Sequence, residues 1–484
     1  MNFKQYLVDG FYDEMYEADG TPRPTSQPLI DLINSLPGQD LRRRQKSAEL
    51  ALLNLGITFG VYGNKMGTEK IFPFDIIPRV IQSNEWTILE KGLEQRVKAL
   101  NAFCADVYSD QKIIKDGVIP EELILTSSSF RKQCMGVKPP QDIWTHISGI
   151  DLIRDDQGIF HVLEDNVCCP SGISYVLENR ATLKRTYPHL FKTMNVRLVS
   201  NYCDHLYDTL KYVSPNESDT PNIAVLSPGS FNSAYFEHSY LAQQMGVPIV
   251  EGRDLVVVDG FINVRTTAGL ERVDVLYRRI DDNFLDPEAF LKESMLGVKG
   301  LFECYKNGNI GIANAPGTGI ADDKAIYAYT PEIIRYYLNE EPIIPIVKTY
   351  LCSNAKDREY VLKNIEKLVV KLVSGAGGYG MLIGPASTRE QCNKFRTLIK
   401  NNPRHYIAQP TISLSRAPTI ANNQIVGRHV DLRPYILHGK STYVLPGGLT
   451  RVALIKNSLI VNSSQGGGSK DTWVLGDTDT EINA

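Results

Sequence analysis

The 484-residue sequence predicts a mixed α/β fold, and three kinds of stretch carry that reading. DLRRRQKSAELALLNLG and WTILEKGLEQRVKALNAFCADVYS repeat apolar residues at helical spacing, the second through Ile88, Leu93, Val97, Leu100 and Phe103. GIDLIRDDQGIFHVLEDN alternates Ile150/Leu152 and Ile159/His161/Leu163 around a turn at Asp155-Asp156-Gln157-Gly158, the pattern of two antiparallel strands. From residue 222 onward NIAVLSPG, YFEHSYLAQQMG, VPIVEG and VDVLYRRI alternate strand with helix, which predicts a small domain with a largely parallel sheet.

Taken in order, residues 1–145 read as a mainly helical region, interrupted by the Gly/Pro-rich strand-and-loop stretch GITFGVYGNKMGTEKIFPFDIIPRVI. The segment 146–215 holds the hairpin and a helix beginning near Ser171, and SPNESDTPN marks a linker. Residues 216–325 form the small α/β unit, and 326–484 open on a helix and then alternate strands with two more.

The composition is that of a globular chain, 43% apolar and 22% charged, long enough for a large core or several domains. A net charge of −3 provides no basic footprint for nucleic acid, and no apolar run is long enough to span a bilayer. The eight cysteines are scattered without a C-x-x-C pair, so neither zinc nor a redox motif is indicated and a reducing cytoplasm is expected. Cys168-Cys169 reads as two small packed residues.

Asp151, Glu164 and Asn166 are the most informative set. Residues 164 and 166 share a face of one strand, and Asp151 on the partner strand can face them. Two carboxylates and an amide oxygen suit Mg²⁺, a hard cation that also binds nucleotide phosphates. In isolation a solvated hairpin with ordinary surface acids has the same pattern.

KLVVKLVSGAGGYGMLIGP contains Gly375, Gly377 and Gly380 in the spacing of a dinucleotide fingerprint, with Gly378 between them. The reading fails, because Met381 to Pro385 returns to a short apolar strand rather than opening a helix. A strand–glycine loop–strand instead makes a flap whose backbone N–H groups cover phosphates, with Lys371 on the incoming strand. Gly439-Lys440-Ser441 is only the tail of a P-loop and is preceded by a strand. Lys324 opens a helix, where a cation opposes the macrodipole unless an anion is near. His238 and His429 read as core or strand hydrogen-bonding residues.

Together these residues resemble the ATP-grasp superfamily of carboxylate–amine and carboxylate–thiol ligases, of the D-alanine–D-alanine ligase and glutathione synthetase kind. The resemblance covers the metal set, with Glu164 thirteen residues after Asp151 and Asn166 two further on, followed by Pro170-Ser171-Gly172. It implies that Lys324 and Lys371 contact ATP, that Gln409 in YIAQPTISLS lies along the adenine, and that Arg433 and Arg451 hold an acyl-phosphate. The order departs from the usual one, since the metal set precedes the lysines. The chain is therefore similar to the circularly permuted ATP-grasp proteins, through FDIIPRVI, VLEDN, YRRIDDNFLDP, GTGIADDKAIYAY and NSSQGGGSKDTW. Val167-Cys168-Cys169 stands where a more polar or basic residue is expected. Permutation predicts that 146–190 packs against 425–475 as one sheet-bearing unit.

The resemblance implies an ATP- and Mg²⁺-dependent ligase acting through an acyl-phosphate on a small-molecule or short-peptide carboxylate and amine. A small-molecule kinase and a non-catalytic nucleotide-binding scaffold are the rivals, separated by whether ADP release depends on an amine. Substrate-side candidates are Ser171, Asn232 in a strand-to-helix turn, Arg278 and Asp281 at a strand end, and Lys470 in a glycine-rich lid. The region 1–145 is open to capping the site, choosing the acceptor or mediating homo-oligomerisation.

Overall fold

The computed structural model describes residues 1–60, 69–71, 73–216, 218–375, 380–456, 458, 461 and 467–477. Its centre is a nine-stranded sheet that joins distant parts of the chain. Ile147–Arg154 pairs with Phe160–Asn166 on one side and with Gln424–Arg433 and Tyr435–His438 on the other. Leu449–Val452 and Gly468–Val474 continue the sheet, and Phe74–Ile81 closes it in parallel with Gly468–Val474. The union of 146–190 with 425–475 that permutation requires is therefore made by ladder hydrogen bonds. Phe74–Ile81 belongs to this sheet as well, and all eight of its residues are buried.

The two N-terminal helices fold as Asp40–Asn54 and Ser83–Val107. The buried stripe of the second runs through Trp86, Leu89, Leu93, Val97, Leu100 and Phe103, while Ile88 is 57% exposed. The expected stripe holds at Leu93, Val97, Leu100 and Phe103, and Ile88 falls outside it because Trp86 and Leu89 hold the core side. Each such side chain contributes roughly 1.5–3 kcal/mol by leaving water.

The small domain carries the parallel sheet expected of it, in the order Gly311–Ala313, Val275–Arg278, Ile223–Leu226, Ile249–Val250. Leu255–Val258, Phe261–Thr266 and Gly269–Arg272 leave that pattern and form a separate antiparallel meander. Asn314, just past the end of one parallel strand and 2% exposed, joins this domain to the central sheet. Its Oδ1 accepts from the N–H of His146 and Ile147 at 2.7 Å each, and its Nδ2 donates to the carbonyls of Ile147 and Val167 at 2.7 Å.

A third sheet orders Tyr350–Leu351, Tyr406–Pro410, Leu368–Leu372 and Leu382–Ile383, all antiparallel. Ala355–Asn364 and Arg389–Asn401 are the helices of this region. Val369 pairs with Ile383 across the glycine loop, so the chain returns into a strand as the Gly-Pro stop predicts. Gly439 to Ser441 is likewise a tight connection between two paired strands, not a phosphate loop. No helix among the described residues is long and apolar enough to cross a membrane.

Candidate active site

The hairpin sets the site's register. Asp155 Oδ1 accepts from the N–H of Gln157 and Ile159, and Gly158 takes φ +81°, fixing the turn. Asp151 then lies directly opposite Glu164 and Gly149 opposite Asn166, with a register shift between Asp151 and Leu152. Such a shift re-aims side chains locally, a common device beside functional sites.

Asp151 is fully buried and held by two guanidinium groups. Arg433 donates Nε to Oδ1 at 2.5 Å and Nη2 to Oδ2 at 2.9 Å, while Arg451 Nη2 reaches Oδ2 at 2.7 Å. Arg451 also donates to Asp431, directly across the ladder. Burial alone would raise the Asp151 carboxyl, but Arg433 and Arg451 hold it well below the usual carboxylate range. Gly149 leaves room for this, since a Cβ there would sit 3.3 Å from Arg433 Cδ.

Lys324 meets the same hairpin from the opposite wall. Its Nζ lies 3.3 Å from Glu164 Oε2 and donates to the Gly375 carbonyl at 2.7 Å. Asp323 caps the short helix by accepting from Ala325 N–H, leaving the lysine free to turn toward the hairpin and the glycine loop. Lys371 is half-buried on Leu368–Leu372, facing the same charges. Burial pushes its ammonium down to about 8 against the pull of Glu164 and Asp151, with Lys324 adding repulsion.

Glu164, Asn166, Lys324, Gly375, Arg433 and Arg451 line one cavity of about 410 Å³. Asp151 stands behind this wall rather than on it, since both its oxygens are taken by arginines. Asn166 Nδ2 is buried there without a hydrogen-bond partner. Turning the amide exchanges that orphan donor for an acceptor oxygen next to Glu164, so a hard cation fits this position. Among the described residues no three His, Cys, Asp or Glu form a metal cluster, so the amide is needed to complete a donor set.

With this geometry in hand, similarity decides the family. A family model described as circularly permuted ATP-grasp type 2 matches residues 78–453. The chain belongs to that family. An uncharacterised protein of Synechocystis sp. is 56% identical over 98% of this chain and 99% of its own length. An uncharacterised protein of Mycobacterium tuberculosis is 47% identical over 96% of this chain and 84% of its own. A Frankia alni protein provisionally named glutamate–cysteine ligase 2-3 is 39% identical over 96% of this chain, which spans 54% of that longer protein. Among solved structures, a glutathione synthetase-like effector from Globodera pallida shares the fold, with a TM-score of 0.60 at 11% identity, covering 91% of this chain and 98% of that one.

Several expected residues sit elsewhere in this permuted ATP-grasp chain. Lys470 is fully buried in Gly468–Val474, bonded to Asp75 at 2.5 Å and to the carbonyls of Ile77 and Pro418. A lid role for it is therefore corrected: strand pairing carries it into the interior. Arg278 is also sealed in, paired with Asp282 at 2.8 Å and donating to the Asn314, Ile280 and Ala315 carbonyls, so it buttresses the domain joint instead of meeting substrate. Gln409 is buried and donates to Thr349 Oγ1, off the cavity wall. Asn232 caps its own turn through Ala234 N–H.

Ser171 and Asp281 do line the cavity. Gly377 and Gly378 lie outside the described residues, and Gly380 ends the loop at φ +69°. His238 pairs with Ser227 and His429 with the Leu414 carbonyl, both as hydrogen-bonding residues of the interior.

Sequence reading missed the groups that stiffen this wall. Glu237, fully buried, accepts from the N–H of Gly172 and Ser174 and from Arg279, which also donates to Ser171 Oγ and the Pro170 carbonyl. Asp322 accepts from the N–H of Val167 and Cys168. Burial, reinforced by Asp165, raises its carboxyl well above the usual range. The Cys169 thiol, hydrogen-bonded by Cys168 and flanked by Arg278 and Arg279, falls to about 7. The sequence signals for these were the charge cluster at 278–282, which holds Arg279, and the adjacent pair Cys168-Cys169.

Proposed function

We propose that this protein is an ATP- and Mg²⁺-dependent ligase that joins a carboxylate to an amine through an acyl-phosphate, releasing ADP and phosphate. The observation that carries the reading is the convergence of Glu164, Asn166, Lys324, Gly375, Arg433 and Arg451, from segments far apart in sequence, on one cavity. In the reading, Glu164 and Asn166 would hold Mg²⁺, and Asp151 behind them, its oxygens engaged by Arg433 and Arg451, fixes the two arginines. When bound, that ion offsets phosphate charge during phosphoryl transfer.

The chain's own groups do the rest. Lys324 and Lys371 neutralise the transferring oxygens, with Gly375 held beside them by its carbonyl's bond to Lys324. Lys324, bonded to the Gly375 carbonyl, couples loop position to the hairpin. Arg451 and Arg433, preset by Asp151 and Asp431, offer N–H donors to the acyl-phosphate and to the oxyanion formed when the amine attacks. Such catalysis is positioning plus electrostatics, so no nucleophilic side chain is required. The provisional ligase name of the Frankia relative agrees in reaction class.

The test measures ADP release from Mg-ATP against pooled amino acids and short peptides, with mass spectrometry for condensed products and hydroxylamine as an acyl-phosphate trap. An amine-dependent rise in ADP with a condensed product is expected. A stable phosphorylated product would mean a kinase, and absence of Mg-ATP binding would remove the nucleotide reading.

A further inference from the structure

Another part of the lining of the same cavity is Ser129, Arg131 and Asp281, with Arg131 and Asp281 side by side. Ser129 and Arg131 come from the N-terminal region, so that region contributes directly to the pocket. Most charges around this part are spent on internal partners. Asp165 is chelated by Arg96 at 2.6 and 2.7 Å, and Glu237 is held by Arg279 at 2.9 Å. Asp282 is taken by Arg278 at 2.8 Å and by Gly317 N–H at 3.0 Å. Asp322 is committed to backbone N–H groups.

Two opposite charges remain under-used. Arg131 donates Nη1 to the Ser128 carbonyl at 3.0 Å, but its buried Nε has no hydrogen-bond partner. Its nearest acids stand beyond hydrogen-bond length, at 3.7 Å from Nε to Asp282 and 3.9 Å from Nη2 to Asp281. Asp281 is 55% exposed and uses one oxygen to accept from Asn283 N–H. A buried guanidinium N–H left unbonded is costly, so a ligand acceptor is the natural partner for it.

We infer that Arg131 and Asp281 form a head-group subsite for a free α-amino acid, its α-carboxylate on Arg131 and its α-ammonium on Asp281. This rests on the ligase reading and sharpens it by naming the substrate class. With both α-groups occupied, the end presented toward Lys324 and Arg451 is the side chain. Those cations, with Lys371 and Arg433 beside them, favour a side chain that is itself a carboxylate. The acyl donor is therefore an acidic α-amino acid activated at its side-chain carboxyl group. ATP phosphorylates one side-chain oxygen, ADP leaves, and the incoming amine displaces phosphate and loses a proton.

The experiment titrates the full chain with L-glutamate and L-aspartate, and with glutarate, succinate and the α-amides of both amino acids, in the presence and absence of a non-hydrolysable ATP analogue and Mg²⁺. At least one acidic amino acid should bind tenfold or more tighter than its deaminated and α-amidated counterparts. Arg131→Met should erase the preference over the α-amide. Asp281→Asn, which keeps the acceptor for Asn283 N–H at an exposed position, should erase the preference over the deaminated acid. Equal binding of all three classes, or both variants binding as the unmodified chain does, overturns the subsite. Nucleotide binding is read separately, so failure of the ligase reading appears as lost Mg-ATP affinity whatever the amino-acid preference.

Discussion

Arg451 and Lys470 occupy neighbouring strands of one sheet, a single register step apart, and the sheet gives them opposite roles. Thr450 pairs with Lys470 and Arg451 with Ser469, so the two cations point to opposite faces. Arg451 faces Asp151 and Asp431 on the cavity side, and its guanidinium is held well above its ordinary value despite burial. Lys470 faces Asp75 on the other side, where burial wins and pulls its ammonium below its ordinary value. Two carboxylates against one, and a planar fork against a point charge, explain the difference. A buried cation is thus not evidence of a substrate site: the face it takes decides.

The largest expected effect tests the cavity face itself. Glu164→Gln should lower Mg²⁺-dependent turnover about a thousandfold, with the circular dichroism spectrum unchanged. Full activity in that variant would remove the metal assignment. Next, Arg451→Met and Lys470→Met should each cost about 3–5 kcal/mol of stability in denaturant unfolding, because each strands a buried carboxylate. Only the first should also impair turnover; an equal loss of kcat/KM in both would erase the distinction between the faces.

A smaller effect belongs to Lys371. With its ammonium pushed down to about 8, the charge that the proposed ligase would offer to ATP is lost as pH rises through that value. kcat/KM for ATP should therefore fall on an alkaline limb near 8, and in kcat the limb should move upward because bound phosphates favour the charged form. Lys371→Met should be slow and lack the limb; its survival there assigns it to another group. The smallest effect is a control remote from both faces. Thr388 caps Arg389–Asn401 with a reciprocal box to Gln391, and Thr388→Ala should cost about 1 kcal/mol with catalysis intact.

What was legible in the sequence was local. The hairpin and its Asp151/Glu164 facing pair followed from alternation and an Asp/Gly turn, and the returning strand after the glycine loop followed from Gly-Pro. The parallel order of the small domain followed from alternating strands and helices. Residues whose role depends on a distant strand were not legible in this way. Lys470 looked mobile beside a glycine run, yet pairing with Phe74–Ile81 buries it. Arg278 and Arg279 are adjacent in sequence, and only the domain joint sends one to Asn314 and the other to Glu237.

Periodicity and turn chemistry act over a few residues, so the chain on its own determined its helices, its hairpin and the residue types from which a magnesium-nucleotide site is proposed. Tertiary structure decided which of those residues share a wall. It gave Asp151 to two arginines, brought Arg131 from the N-terminal region to the cavity, and turned Lys470 away. The physical reason is that a strand's face is set by its partner's register, and here the partners lie hundreds of residues apart, beyond the reach of any local pattern.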